Sequence, residues 1–305
     1  MTDAQRTAPA ARPPVVLDLD ASVPPLAGEC RLPLAPWQEA IRFGCGLRRM
    51  RAFAAALGAR MPAFATHGTV FLGSGDFHHL SAPLVARCIA AGGFTAAWPL
   101  RLVVLDNHPD NMRFPFGIHC GSWVRHVALL PQVAHVHVAG ITSADIGRGH
   151  AWENYLAPLR AGKLSYWSCG VDTGWARWLG LGRAFRTFAS GDALVAALCE
   201  QLAADRQPTY LSIDKDAFAP DVVRTNWDQG LLRADHADAV IAALRGTLAG
   251  SDVTGEVSSY RYRTAWKRWL SAGDGQQTTV APDDLARWQA EQGAFNRRLL
   301  AQLAG

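Results

Sequence analysis

A chain of 305 residues, 49% hydrophobic and 18% charged, has room for one large α/β domain or two ordinary ones, and its balance excludes disorder and fibrous repeats. The net charge of +4 is too mild to point to nucleic acid, and the densest basic runs, "GLRRMR" at 46–51 and "YRYRTAWKRW" at 260–269, read as solvated helix faces. Six dispersed cysteines with no C-x-x-C pair argue for thiols in a reducing compartment, and no stretch reads as a secretory leader or membrane span, so a soluble cytoplasmic protein is expected.

Residues 1–12 read as a flexible tail and 13–305 as one domain. In chain order, the pattern predicts a strand at 15–19 and a helix over 36–57, then a strand at 69–73 and a helix over 81–91. A strand at 101–106 precedes a helix over 121–130, and a strand at 134–140 precedes a helix over 150–161. Strands follow at 164–168, 209–214 and 251–258, with helices over 191–204 and 235–248 between them and a closing helix over 282–303. Ser190 is a good N-cap for the helix at 191, which sets Leu194, Leu198 and Leu202 on one face. Apolar strands alternating with helices imply a single three-layer α/β/α domain around a mostly parallel sheet. In such sheets ligands bind at the carboxyl ends of the strands.

Those ends carry metal-type side chains. "RLVVLDNHPDNM" (101–112) closes on Asp106, His108 and Asp110, which point to one side if the backbone stays extended. "TVFLGSGDFHHLS" closes on Asp76, His78 and His79, "TYLSIDKDAFAPD" on Asp214 and Asp216, and "SDVTGEVSS" on Glu256. So many carboxylates at one edge repel unless cations neutralise them. Hard oxygen ligands with a few imidazoles suit Mn²⁺ or similar ions better than a lone zinc. Two such ions sharing carboxylates would acidify a bridging water for hydrolysis.

These segments resemble, in the same order, the G-G-D-H, D-A-H-x-D, S-x-D-x-D-x-x-D-P and E-V motifs of the ureohydrolase (arginase and agmatinase) family, within the arginase/deacetylase fold. The resemblance runs from about residue 69 to 260. It implies a binuclear-metal hydrolase that cleaves a C–N bond of a guanidino or amidino compound by a metal-bridging hydroxide. Asp106, His108, Asp110, Asp214 and Asp216 would be metal ligands, with His78 as the sixth. The ions would be two divalent cations, Mn²⁺ first, with Ni²⁺ or Zn²⁺ as alternatives. Glu256 would hold the substrate guanidinium, His119 in "FGIHCG" would shuttle a proton, and Asp145 in "AGITSADIG" would grip a substrate amino group. His79 and Trp227 are assigned to the substrate side. The expected partners are a small guanidino or amidino molecule and further copies of the chain, without nucleic acid or membrane.

The motif interiors differ from the family pattern. Phe77 interrupts the first segment, so either His78 or His79 is open as the ligand; Asn107 replaces a small residue; and Lys215 replaces an apolar one. By alternation Lys215 should point away from the metals, toward a carboxylate. Met112, Phe114, Phe116 and Trp227 would make the pocket more apolar than an arginase's, so L-arginine is not the expected substrate. Two alternatives stand beside this reading: a mononuclear zinc amide hydrolase like the deacetylases, favoured by "DFHH", and a non-catalytic metal- or metabolite-binding relative. His135 and His137 read as satisfied strand residues, and Trp288 and Phe295 as packing residues of the last helix.

Overall fold

The computed structural model describes residues 12–273 and 275–304; apart from Arg12, the tail expected over 1–12 lies outside the described residues. The strands are β1 (Val15–Asp18), β2 (Cys30–Pro33), β3 (Gly44–Cys45), β4 (Val70–Phe71), β5 (Leu100–Leu105), β6 (Ile118–His119), β7 (Val133–Ile141), β8 (Leu164–Cys169), β9 (Phe185–Phe188), β10 (Thr209–Asp214) and β11 (Leu248–Thr254). Nine of them form one sheet in the order β2-β1-β4-β11-β10-β5-β7-β8-β9. Every neighbouring pair in it is parallel.

Alternation along the strands feeds two cores. In β5, Leu102 and Val104 join one apolar cluster, while Val103 and Leu105 join the other. Helices Leu47–Gly58, Ser81–Gly92 and Trp123–Ala128 cover the first face; Gly191–Ala204, Ala234–Ala243 and Pro282–Leu303 cover the second. The expected three-layer α/β/α architecture is therefore the observed one. Ser190 caps its helix through a hydrogen bond from the Ala193 amide, and Leu194, Leu198 and Leu202 are buried behind it. No helix of the described residues is long and apolar enough to cross a membrane.

The helix expected over 36–57 is broken. A short helix, Gln38–Ile41, ends before Phe43, which has a positive φ of 66°, and Leu47–Gly58 begins a new helix after β3. Between them β3 pairs antiparallel with β6 so closely that a Cβ on Gly44 would lie 2.5 Å from the Cβ of His119. This ribbon brings His119 to the carboxyl edge of the sheet. Strands β2 and β9, at the two sheet edges, were not expected from the pattern, whereas the helix Ala265–Gly273 overlaps the basic run at 260–269 read as a helix face.

Candidate metal centre

Strands β4, β11, β10 and β5 are neighbours at the centre of the sheet, so the segments leaving their carboxyl ends meet. After β4, the turn Gly75–Leu80 presents His78. After β5 the backbone stops being extended at Leu105, and Asp110 takes a left-handed φ of 46°. Asp106, His108 and Asp110 thus converge through a tight turn, not through the period-two alternation expected. A strained φ at a carboxylate aimed into a cluster is the kind of backbone feature that marks functional sites. After β10 a single turn, Lys215–Ala217, sends Asp216 inward, with the Asp214 carboxylate accepting the Asp216 amide at 3.1 Å.

The result is a buried cluster of four carboxylates and two imidazoles. His78 Nδ1 lies 3.1 Å from Asp106 Oδ2, 2.9 Å from Asp110 Oδ2 and 3.3 Å from Asp214 Oδ2. His108 Nδ1 lies 3.0 Å from Asp216 Oδ2 and 3.6 Å from Asp106 Oδ1. Two groups that could each hold a metal ion emerge, His78–Asp106–Asp110 and Asp106–His108–Asp216, with Asp106 common to both. Its Oδ2 is buried and has no hydrogen-bond partner, an orphaned acceptor that a cation would satisfy. The donor set of hard oxygens and two imidazoles therefore fits divalent metal.

Electrostatics point the same way. Burial, then the adjacent Asp106 charge, push the Asp110 and Asp216 carboxyls up to about 7. Burial and Asp216 raise Asp214 well above the ordinary carboxylate range. Burial also works against ionisation of Asp106, but the adjacent His108 and His78 imidazoles outweigh it and hold that carboxyl low. His78 is raised, because the Asp110 and Asp106 carboxylates overcome the burial that disfavours its charge. In the metal-free chain protons thus occupy positions a cation would take. A carboxyl raised on folding stabilises below its unfolded pKa and loses that contribution as pH rises through its folded value. Relative to an Asp216→Asn variant, the metal-free wild type is therefore expected to lose thermal stability as pH rises from about 4 through about 7. Metal affinity should strengthen over the same interval, by about tenfold per pH unit for each proton released. Calorimetric titration in buffers of differing ionisation enthalpy measures that proton count; no proton release at pH 6 would contradict it.

A second layer orients the first. His78 Nε2 donates to Ser212 Oγ at 3.0 Å, and Ser212 donates on to Asp252 Oδ1 at 2.6 Å, which leaves Nδ1 facing the carboxylates. Tyr210 and Ser81 also donate to the buried Asp252. Ser212→Ala is expected to weaken metal binding about 10–100-fold, read by competition with a chelating dye. Asn107 accepts from the amide and hydroxyl of Thr142 and donates to the Asp228 carbonyl and carboxylate. Asp228 in turn accepts from His108 Nε2 at 2.8 Å. Sequence reasoning missed Asp228, which shares no spacing with the other acids; only the fold of the "TNWDQG" loop brings it in.

A cavity of about 430 Å³ opens above the cluster. His78, Asp106, His108, Asp110, Asp214 and Asp216 all line it. His119, Asp145, Trp227 and Met112 line it too, as does Asp228. Burial, then His126, lower His119 to about 3, which favours its neutral imidazole. The Gly121 amide donates to His119 Nδ1 at 3.1 Å, so the ring proton is on Nε2.

Other expectations need correction. Glu256 does not line the cavity: it is buried, and its Oε1 accepts from Lys215 Nζ at 2.5 Å and Asn296 Nδ2 at 2.7 Å. Lys215, pointing away from the metals as alternation suggested, has taken the carboxylate assigned to the substrate. His79 is also buried outside the cavity lining, and burial lowers its imidazole to about 3. Phe114 packs its ring 4.4 Å from that of His119, and Phe116 is 75% exposed, so neither lines the cavity. His135 and His137 both bond Ser165, as satisfied strand residues do.

No protein-family model matches the chain. A Thermotoga maritima protein described as uncharacterized is 26% identical over 202 residues, 66% of this chain and 61% of that protein. Among solved structures, proclavaminate amidino hydrolase from Streptomyces clavuligerus is similar at 19% identity and TM-score 0.47, covering 84% of this chain and 69% of that one. A hypothetical agmatinase from Burkholderia thailandensis is similar at 18% identity and TM-score 0.41, over 81% of this chain and 65% of its own. The agmatine ureohydrolase of Thermoplasma volcanium is similar at 13% identity and TM-score 0.46, over 92% and 74%. The chain spans less than two thirds of the Thermotoga and Burkholderia proteins.

Proposed function

We propose that the chain is a metal-dependent hydrolase of the ureohydrolase kind, cleaving a C–N bond in a small cationic guanidino or amidino compound. The observation that carries this reading is the Asp106 carboxylate, whose two oxygens face two separate histidine–carboxylate groups. His78, Asp106, Asp110 and Asp214 would hold one divalent ion, and Asp106, His108 and Asp216 the other; Mn²⁺ suits the oxygen-rich set. Bound there, the pair would supply Lewis-acid activation of water near neutral pH.

The chain's own residues supply the rest. No lysine or arginine lines the cavity among the described residues, whereas Asp145, Glu153 and Asp228 add acidic groups to the cluster. That field selects a cation in a protein whose net charge is +4. Trp227 and Met112 give a planar cation apolar walls to lie against. The Nε2–H of neutral His119 can steady a departing nitrogen by hydrogen bonding. A one-zinc deacetylase mechanism needs a histidine pair at the metal, and the burial of His79 outside the cavity removes one of the two.

The test is release of urea or ammonia by Mn²⁺-loaded protein across guanidino and amidino compounds, agmatine-like amines and L-arginine included. Turnover of an amine- or amide-bearing guanidine with weak turnover of L-arginine is the expected result. Efficient hydrolysis of L-arginine contradicts the substrate assignment, and an amide-only profile contradicts the reaction class.

A further inference from the structure

A second cavity, of about 150 Å³, lies at the opposite, amino-terminal edge of the same central strands. Tyr210 lines it near the start of β10, four residues or about 13 Å of extended chain from Asp214. Three of its lining residues are cationic or can become so: the buried His67, the half-buried Arg87 and the exposed Arg12. No carboxylate lines it, and among the described residues neither arginine forms an ion pair. The Thr69 and Ser251 hydroxyls satisfy one another at 2.9 Å, and Arg87 Nη2 donates to the Pro62 carbonyl.

Two buried polar atoms here have no partner. One is Arg87 Nε, a donor; the other is His67 Nε2. His67 is 5% exposed, and its Nδ1 donates to the Gly68 carbonyl at 2.8 Å, so Nε2 of the neutral ring is an acceptor. Burial, and the charges of Arg87 and Arg12, keep that ring below its usual pKa and therefore neutral. The occupant must then accept from Arg87, offset its positive charge, and donate to His67. A chloride or a fully ionised carboxylate cannot donate, and water brings no charge. We propose that this cavity is a binding site for a small oxyanion that keeps a hydroxyl, with hydrogen phosphate as its simplest member. The volume, roughly that of five waters, matches an ion of that size and excludes a nucleotide.

Sulfate, equal in shape but without a hydroxyl at neutral pH, is the discriminating probe. Titration calorimetry of the full chain at fixed ionic strength should give saturable phosphate binding at least about tenfold tighter than sulfate. Arg87→Gln should weaken both ions about tenfold or more, and Arg87→Lys, which retains the charge, should fall between. His67→Phe should abolish the preference for phosphate while leaving sulfate binding unchanged. Asp106→Ala, at the other edge of the sheet, should change neither. Equal binding of the two ions, binding insensitive to Arg87, absence of saturable binding, or phosphate binding lost in Asp106→Ala would each overturn the assignment.

Discussion

Replacing Asp106 with alanine is expected to remove both metal ions together and to lower turnover by at least about 10³-fold, or about 4 kcal/mol of transition-state stabilisation. The reason is its position: one carboxylate faces His78 through Oδ2 and His108 through Oδ1, so its loss opens both groups at once. Asp110→Ala, which borders only the His78 group, should instead spare part of the second ion's occupancy. Elemental analysis and activity measured on the same preparations separate the two outcomes. If Asp106→Ala retained one full equivalent of metal, Asp106 would not be shared.

The second large effect concerns stability. Lys215 is fully buried with its ammonium between Glu256 and Gln292, the latter from the helix Pro282–Leu303. Burial lowers the Lys215 pKa, against the raising effect of Glu256, and burial raises that of Glu256, against Lys215; each charge persists because of the other. Lys215→Met leaves an unpaired buried carboxylate and is expected to destabilise by about 3–5 kcal/mol. The double variant Lys215→Met/Glu256→Gln should recover most of that loss, since a buried pair replaced on both sides is often near neutral. Denaturant unfolding measures both. A Glu256 that held substrate would give a different pattern: Glu256→Gln would abolish turnover while leaving stability nearly unchanged.

These two residues also show where sequence reading succeeds and where it stops. β5 is buried on both faces, so its continuous apolar run and the acidic turn after it are visible without any tertiary knowledge. The same holds for β10 and the Asp214–Lys215–Asp216 turn, including the outward direction of Lys215. What Lys215 meets there depends on Gln292 and Glu256, which are distant in sequence, and an E-V match cannot reveal a partner that occupies the glutamate. Asp228 was missed for the same reason: its contact with His108 spans 120 residues. The edge strands β2 and β9 are four residues each, with mixed burial, and offer too little alternation to read. The break in the helix expected over 36–57 rests on the positive φ of Phe43, held by pairing of β3 with β6, so helical periodicity carried the expectation straight across it.

Two cations sharing the buried Asp106 carboxylate is the arrangement on which the proposed hydrolysis rests. It is tested most directly by counting metal ions per chain, by elemental analysis of protein reconstituted with manganese, nickel or zinc and dialysed free of excess. Two equivalents of divalent metal are expected, with manganese supporting turnover. A single equivalent, above all one zinc bound with full activity, would contradict it.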